Sequence, residues 1–272
     1  MRLSRIIFLF FGILHLNTCR EEPNLDYSAE KIGTFKNAAV AGTHPLAVEV
    51  GFEVLKNGGN AIDAAVAVKL AMAVVYPRAG NIGGGGFLVY RAADGEIDAL
   101  DYRERAPAAA DRDMYLDEAG NVISGLSTRG HLAVGVPGAV AGLEAMHKKY
   151  GSTPWDELVG YSIALAANGY RLSQSEVDRV KQSHAAFVEL NELAMPFLDS
   201  NVVEGSLVKQ PDLAATLSRI RDQGAAGFYT GETADLIIAE MKSGNGLITH
   251  ADLAGYEATW RNPITKEFKE YQ

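Results

Sequence analysis

The chain carries one cysteine, Cys19, in 272 residues, so no disulfide can close within it and its stability has to come from packing. Positive charge is also scarce. Lys and Arg number 25 against 34 Asp and Glu, a formal charge of −9, which argues against nucleic acid as a partner because phosphate binding needs clustered basic residues. The six histidines are His15, His44, His131, His147, His184 and His250, and no two stand at the three- or four-residue spacing of a helical metal pair. No metal or other cofactor is therefore expected. No Gly-x-Ser-x-Gly pentad occurs, which removes the usual serine-hydrolase elbow. There is no internal repeat and no low-complexity tract. The apolar run at residues 6–16 is too short to span a bilayer, which takes about 20 residues.

That stretch follows a short basic segment containing Arg2 and Arg5, so residues 1–18 read as an export signal. Cys19 then stands where bacterial lipoprotein signals carry their acylated cysteine, although Thr18 is larger than the residue usually found before it. The protein is expected to be exported, either periplasmic or anchored in the membrane through Cys19. Residues 19–37 are polar and read as a tether, with one folded domain over 38–272. At 47% hydrophobic residues, the chain can bury a sizeable core.

Within that domain, residues 40–43 read as a short strand and Pro45 suits a helix start, giving a helix over 46–56 stopped by Gly58 and Gly59. Asn60 caps a second helix over 61–75, apolar almost all round and expected to be the buried central one. Strands are expected at 87–91 and 97–102 about an Asp94-Gly95 turn, and 132–138 reads as strand and turn. Helices are expected at 139–149, from Pro154 to a stop at Gly169, at 173–193, 211–223 and 232–242, with a short one from Thr249. Thr153 reads as the capping hydroxyl of the second of these, and Pro154 as its first residue. The mixture is α+β with antiparallel pairing.

Two features carry chemistry. Gly83, Gly84, Gly85 and Gly86 remove every side chain from one loop, so a backbone or a ligand can approach closely. The order is helix, glycines, strand, with no Gly-Lys-Ser/Thr, so a tight connection fits better than a phosphate cradle. After the hairpin comes Arg103, whose planar guanidinium could receive a carboxylate through two parallel hydrogen bonds. A structural ion pair with Glu104, Asp101 or Asp98 is the plainer alternative. Thr43-His44 could suggest a threonine nucleophile, but capping of the helix at Pro45 explains the pair more simply.

Ordered motifs settle the preference. Residues 57–67, the segment Gly80-Asn81-Ile82-Gly83-Gly84-Gly85-Gly86-Phe87, Tyr102-Arg103-Glu104-Arg105-Ala106-Pro107, Gly135-Val136-Pro137-Gly138 and Leu247-Ile248-Thr249-His250-Ala251-Asp252-Leu253-Ala254-Gly255-Tyr256 resemble, in the same order, segments of the γ-glutamyltranspeptidases (glutathione hydrolases). The resemblance spans residues 38–272 and implies a partial αββα sandwich of the N-terminal-nucleophile hydrolase type, corresponding to the large subunit.

It further implies a γ-glutamyl substrate such as glutathione, whose α-carboxylate is held at the position of Arg103. The nucleophile in the family is the threonine that starts the small subunit. The Pro-Pro-Pro-Ser-Ser-Gly-Gly and Thr-Thr-His-x-Ser segments of the family have no counterpart here, so the resemblance places no catalytic residue in this sequence, makes the missing C-terminal portion its partner, and implies no turnover by the chain alone. Two other readings stay open: a binding module without chemistry, and a same-fold relative acting on poly-γ-glutamate or on β-lactam acyl groups.

Overall fold

A computed structural model describes residues 33–191, 197, 199 and 201–270; Cys19 and the proposed export signal lie outside them. Helix α1 (Pro45–Lys56) begins on His44, whose Nδ1 accepts the N–H of Leu46 at 3.2 Å. The cap is the histidine and not Thr43. With Nδ1 accepting, the ring proton sits on Nε2 and is donated to Glu176 at 2.9 Å. Helix α2 (Ala61–Val75) packs against α1 and starts in a reciprocal capping box between Asn60 and Asp63. Ten of its residues are buried, among them Val66, Leu70 and Val74, which makes it the central helix. A short helix, α3 (Pro77–Gly80), leads into the glycine loop.

Strands β1 (Phe87–Arg91) and β2 (Ile97–Asp101) pair antiparallel with Val89 opposite Ala99. Their connection is one residue longer than a two-residue turn: Ala92 donates to Glu96 O at 2.8 Å, and Gly95 takes φ +93°. No strand forms over 132–138. His131–Ala133 is a 3-10 turn, and only Val136 bridges, to Arg105. Residues 40–43 likewise find no strand partner.

Helix α4 (Ala139–Tyr150) covers the inner face of β2, and α5 (Trp155–Asn168) packs on α2. Thr153 does not cap α5. Its hydroxyl donates to Asp63 at 3.2 Å, and Pro154 takes the cap position. Gly169, at φ +86°, ends α5 before β3 (Tyr170–Arg171), which pairs with β4 (Leu207–Val208) across α6 (Gln174–Leu190).

Helix α7 (Pro211–Gln223) lies along α5, followed by α8 (Ala226–Tyr229), α9 (Gly231–Ser243) and α10 (His250–Ala254). The last strand, β5 (Thr259–Arg261), returns to the other edge of β2, giving the order β1-β2-β5. The result is α+β, with the sheet's inner residues Leu100 and Tyr102 joined to the helical core.

Candidate functional site

The glycine loop owes its composition to space. None of Gly83, Gly84, Gly85 and Gly86 has a positive φ. A Cβ on Gly85 would stand 2.4 Å from the carbonyl oxygen of Tyr102 and 2.9 Å from Cα of Arg103; one on Gly86 would stand 2.8 Å from the Tyr102 ring. The close neighbour is thus the chain's own backbone. Gly83 and Gly84 are roomier, with nearest atoms at 3.4 Å. The Gly84 carbonyl accepts two N–H groups, from Gly138 and Ala139, at 2.9 Å each. Two N–H groups at the uncapped start of α4 are thereby satisfied, and the loop is tied to that helix.

Arg103 follows β2 directly, and its backbone is held at both ends. Its N–H donates to Asp101 Oδ1 at 3.0 Å, and its carbonyl accepts the Tyr256 hydroxyl at 2.6 Å. The side chain is 60% exposed, with Nη1 2.7 Å from Glu104 Oε2. Of the three acids that could have paired with it, Asp98 is taken by Lys149 and Tyr150, and Asp101 by Arg261 at 2.7 Å. Only Glu104 remains. That contact is Coulombic and not an aligned hydrogen bond, since Oε2, shielded from solvent, has no hydrogen-bond donor.

The Nε and Nη2 edge of Arg103 has no partner among the described residues, and that edge could take a carboxylate side-on. Beneath the loop, Lys69 donates to Gly80 O at 3.0 Å; burial lowers its pKa, and the negative charge of Glu104 opposes that shift.

Arg105, two residues on, is committed. Its Nη2 donates to Glu257 O at 2.8 Å and to Thr259 Oγ1 at 3.1 Å, and its guanidinium lies 5.1 Å from the centre of the Tyr256 ring. Tyr256 also stacks on Tyr229, whose hydroxyl donates to Pro137 O at 2.8 Å. Sequence reasoning gave Tyr256 no role, and no local signal could, because its partner is 153 residues away.

Arg103 lines neither of two concavities among the described residues. One, of about 220 Å³, is walled by Arg105, Val136, Asp252 and Tyr256; the other, of about 740 Å³, lies between α6 and the ends of α2 and α7. Among the described residues no group of three or more His, Cys, Asp or Glu is placed to hold a metal ion. His131, His147 and His250 are instead bonded to Glu240, Thr153 O and Asp235.

The family model described as gamma-glutamyltranspeptidase matches residues 47–272. The chain belongs to the gamma-glutamyltranspeptidase family. It is 48% identical over 240 residues to the glutathione hydrolase proenzyme of Pseudomonas sp. (strain A14), covering 87% of this chain and 42% of that relative. The chain therefore spans about two-fifths of the length of that curated relative. The gamma-glutamyltranspeptidase structure of Helicobacter pylori superposes with a TM-score of 0.84 at 47% identity, over 88% of this chain and 70% of that one. A cephalosporin acylase from Bacillus halodurans is more distant, at a TM-score of 0.75 and 27% identity over 90% of this chain and 48% of that one. The α+β arrangement is thus part of the N-terminal-nucleophile hydrolase sandwich.

Proposed function

We propose that this chain takes part in γ-glutamyl transfer and hydrolysis on glutathione and related γ-glutamyl amides, supplying the arginine that holds the substrate's α-carboxylate. The observation that carries this reading is the state of Arg103: a guanidinium mounted on backbone fixed at both ends, exposed, with one edge open. An Arg fork binds a carboxylate with geometry as well as charge, so a fixed Arg103 would orient the glutamyl group and leave its γ-carbonyl to the nucleophile. In this reading the nucleophile is an N-terminal threonine outside these 272 residues. Its amine takes the proton of its own hydroxyl and the oxygen attacks the γ-carbonyl; the amide C–N bond then breaks, the amine leaves with that proton, and the γ-glutamyl ester is resolved by water or an acceptor amine.

The identity to γ-glutamyltranspeptidases, well above that to the cephalosporin acylase, supports the γ-glutamyl over the β-lactam reading. We place the export signal in residues 1–18, the tether in 19–37, the folded part in 38–272 and the anchor at Cys19; among the described residues, no helix is long and apolar enough to cross a membrane.

The test is a γ-glutamyl anilide assay on the chain alone and on the chain co-expressed with a nucleophile-bearing portion from a relative. Turnover only in the second, abolished by Arg103→Ala, is expected. Threonine-dependent turnover by the chain alone, or indifference to Arg103→Ala, would overturn the reading.

A further inference from the structure

The cleft of about 740 Å³ is not part of the site above. Its walls are mainly apolar, with Val75, Ile82, Tyr170, Val180, Phe187 and Leu213 among them, and its size is that of a ligand pocket. At its rim, Arg78 and Arg179 are exposed and have no ion-pair partner among the described residues. Of the two acids there, Glu176 accepts from Ser173 at 2.6 Å and from His44 at 2.9 Å, and Asp212 is exposed; the rim is balanced in formal charge, but its two guanidiniums are left unpaired among the described residues.

We propose that residues 21–27 of this same chain dock in the cleft. The segment Glu21-Glu22-Pro23-Asn24-Leu25-Asp26-Tyr27 holds three acids and no base, together with two apolar side chains. In an extended chain Leu25 and Tyr27 fall on one side, to enter the apolar floor, and Asp26 on the other, toward the rim guanidiniums. Proximity favours this occupant over a separate partner. His44 joins the cleft wall at Glu176, and the 17 residues from Tyr27 to His44 can reach about 56 Å. A segment so tethered competes at an effective concentration on the order of millimolar, so modest contacts suffice to seat it.

The experiment uses the full chain with Cys19→Ser and either Leu25→Cys or Tyr27→Cys, each leaving the other apolar anchor in place. Maleimide labelling of each thiol is compared with that of a synthetic peptide of residues 20–32 bearing the same cysteine. Labelling at least about tenfold slower in the protein is expected, corresponding to about 1.4 kcal/mol of docking. Arg78→Glu with Arg179→Glu, both on exposed side chains, should restore the fast rate, as should Ser183→Trp, which fills the cleft; circular dichroism confirms that the variants fold. Labelling as fast as in the peptide would overturn the proposal. So would slow labelling that neither set of substitutions changes, or protection lost on dilution, which would assign the cleft to a second copy.

Discussion

The Tyr256 hydroxyl and the Arg103 carbonyl oxygen, 153 residues apart in sequence, meet at 2.6 Å. The bond joins the α10–β5 connection to the end of β2, where the open guanidinium is mounted. Tyr256 is itself fixed, stacked on Tyr229 and covered by the Arg105 guanidinium, so the anchor is stiff.

Tyr256→Phe should keep the fold, because the ring stays in place, and lose only the hydrogen bond. A bond of this kind is worth about 1 kcal/mol. If it serves to hold Arg103, KM for a γ-glutamyl substrate in the co-expressed enzyme rises about fivefold while kcat stays near the parent value. Arg103→Lys, which loses the planar fork, should raise KM further. Steady-state kinetics on both variants decide the matter, and an unchanged KM in Tyr256→Phe sinks the coupling.

The glycine quartet should divide into two classes. Gly85→Ala places a methyl 2.4 Å from a backbone oxygen that cannot move without shifting the pairing of Tyr102 with Gly86. Overpacking of this kind costs about 1–3 kcal/mol or more, and a drop in Tm of several degrees is expected. Gly83→Ala meets nothing closer than 3.4 Å and needs no positive φ, so its Tm should lie within about 2 °C of the parent. Thermal unfolding of the two side by side checks this; equal losses would mean that space is not what selects glycine.

Much of this fold was legible because its signals are local. Asn60 with Asp63 at one end and Pro77 past the other fixed α2 at 61–75. Glycines and prolines likewise punctuated α5 and α7. Legibility stopped where partners are distant. Val134 and Val136 alternate like a strand, but a lone bridge to Arg105 is all that forms. Thr153 has the look of a cap, yet a buried carboxylate from another helix claims its hydroxyl. At the site, the sequence could propose Arg103 and three acids for it. Which acid pairs was decided by Lys149 and Arg261, from β2's neighbours in space.

Asp63 should give the fold an acid-sensitive joint. Its carboxylate is fully buried. Burial opposes its ionisation, but hydrogen bonds from the Ser152 side chain and from backbone N–H groups including those of Asn60 and Ser152 outweigh that effect and hold the pKa below the ordinary 3.8. A depressed carboxylate contributes stability that is complete above the unfolded-state value and lost as pH falls through the folded one. The Tm advantage of the parent over Asp63→Asn should therefore be constant at neutral pH and shrink only below about pH 4. Asparagine would turn an N–H toward donors, at about 1–3 kcal/mol. A Tm difference that instead grows in acid would contradict the assignment.

The outer face of the sheet should govern association. Phe87 and Val89 are 64% and 74% exposed on β1, a strand that pairs only with β2 among the described residues. An apolar strand with an open edge invites another strand or an apolar surface to cover it, and in the proposed enzyme the portion bearing the nucleophile would do so. The 272-residue chain alone is then expected to self-associate in a concentration-dependent way. Val89→Lys should raise the monomer fraction on gel filtration, with Tm within about 2 °C of the parent, because an exposed position contributes little to the core. The same substitution should weaken recovery of activity on co-expression. A parent chain that stays a compact monomer at high concentration would show that this face needs no cover, leaving the nucleophile-bearing portion to dock elsewhere.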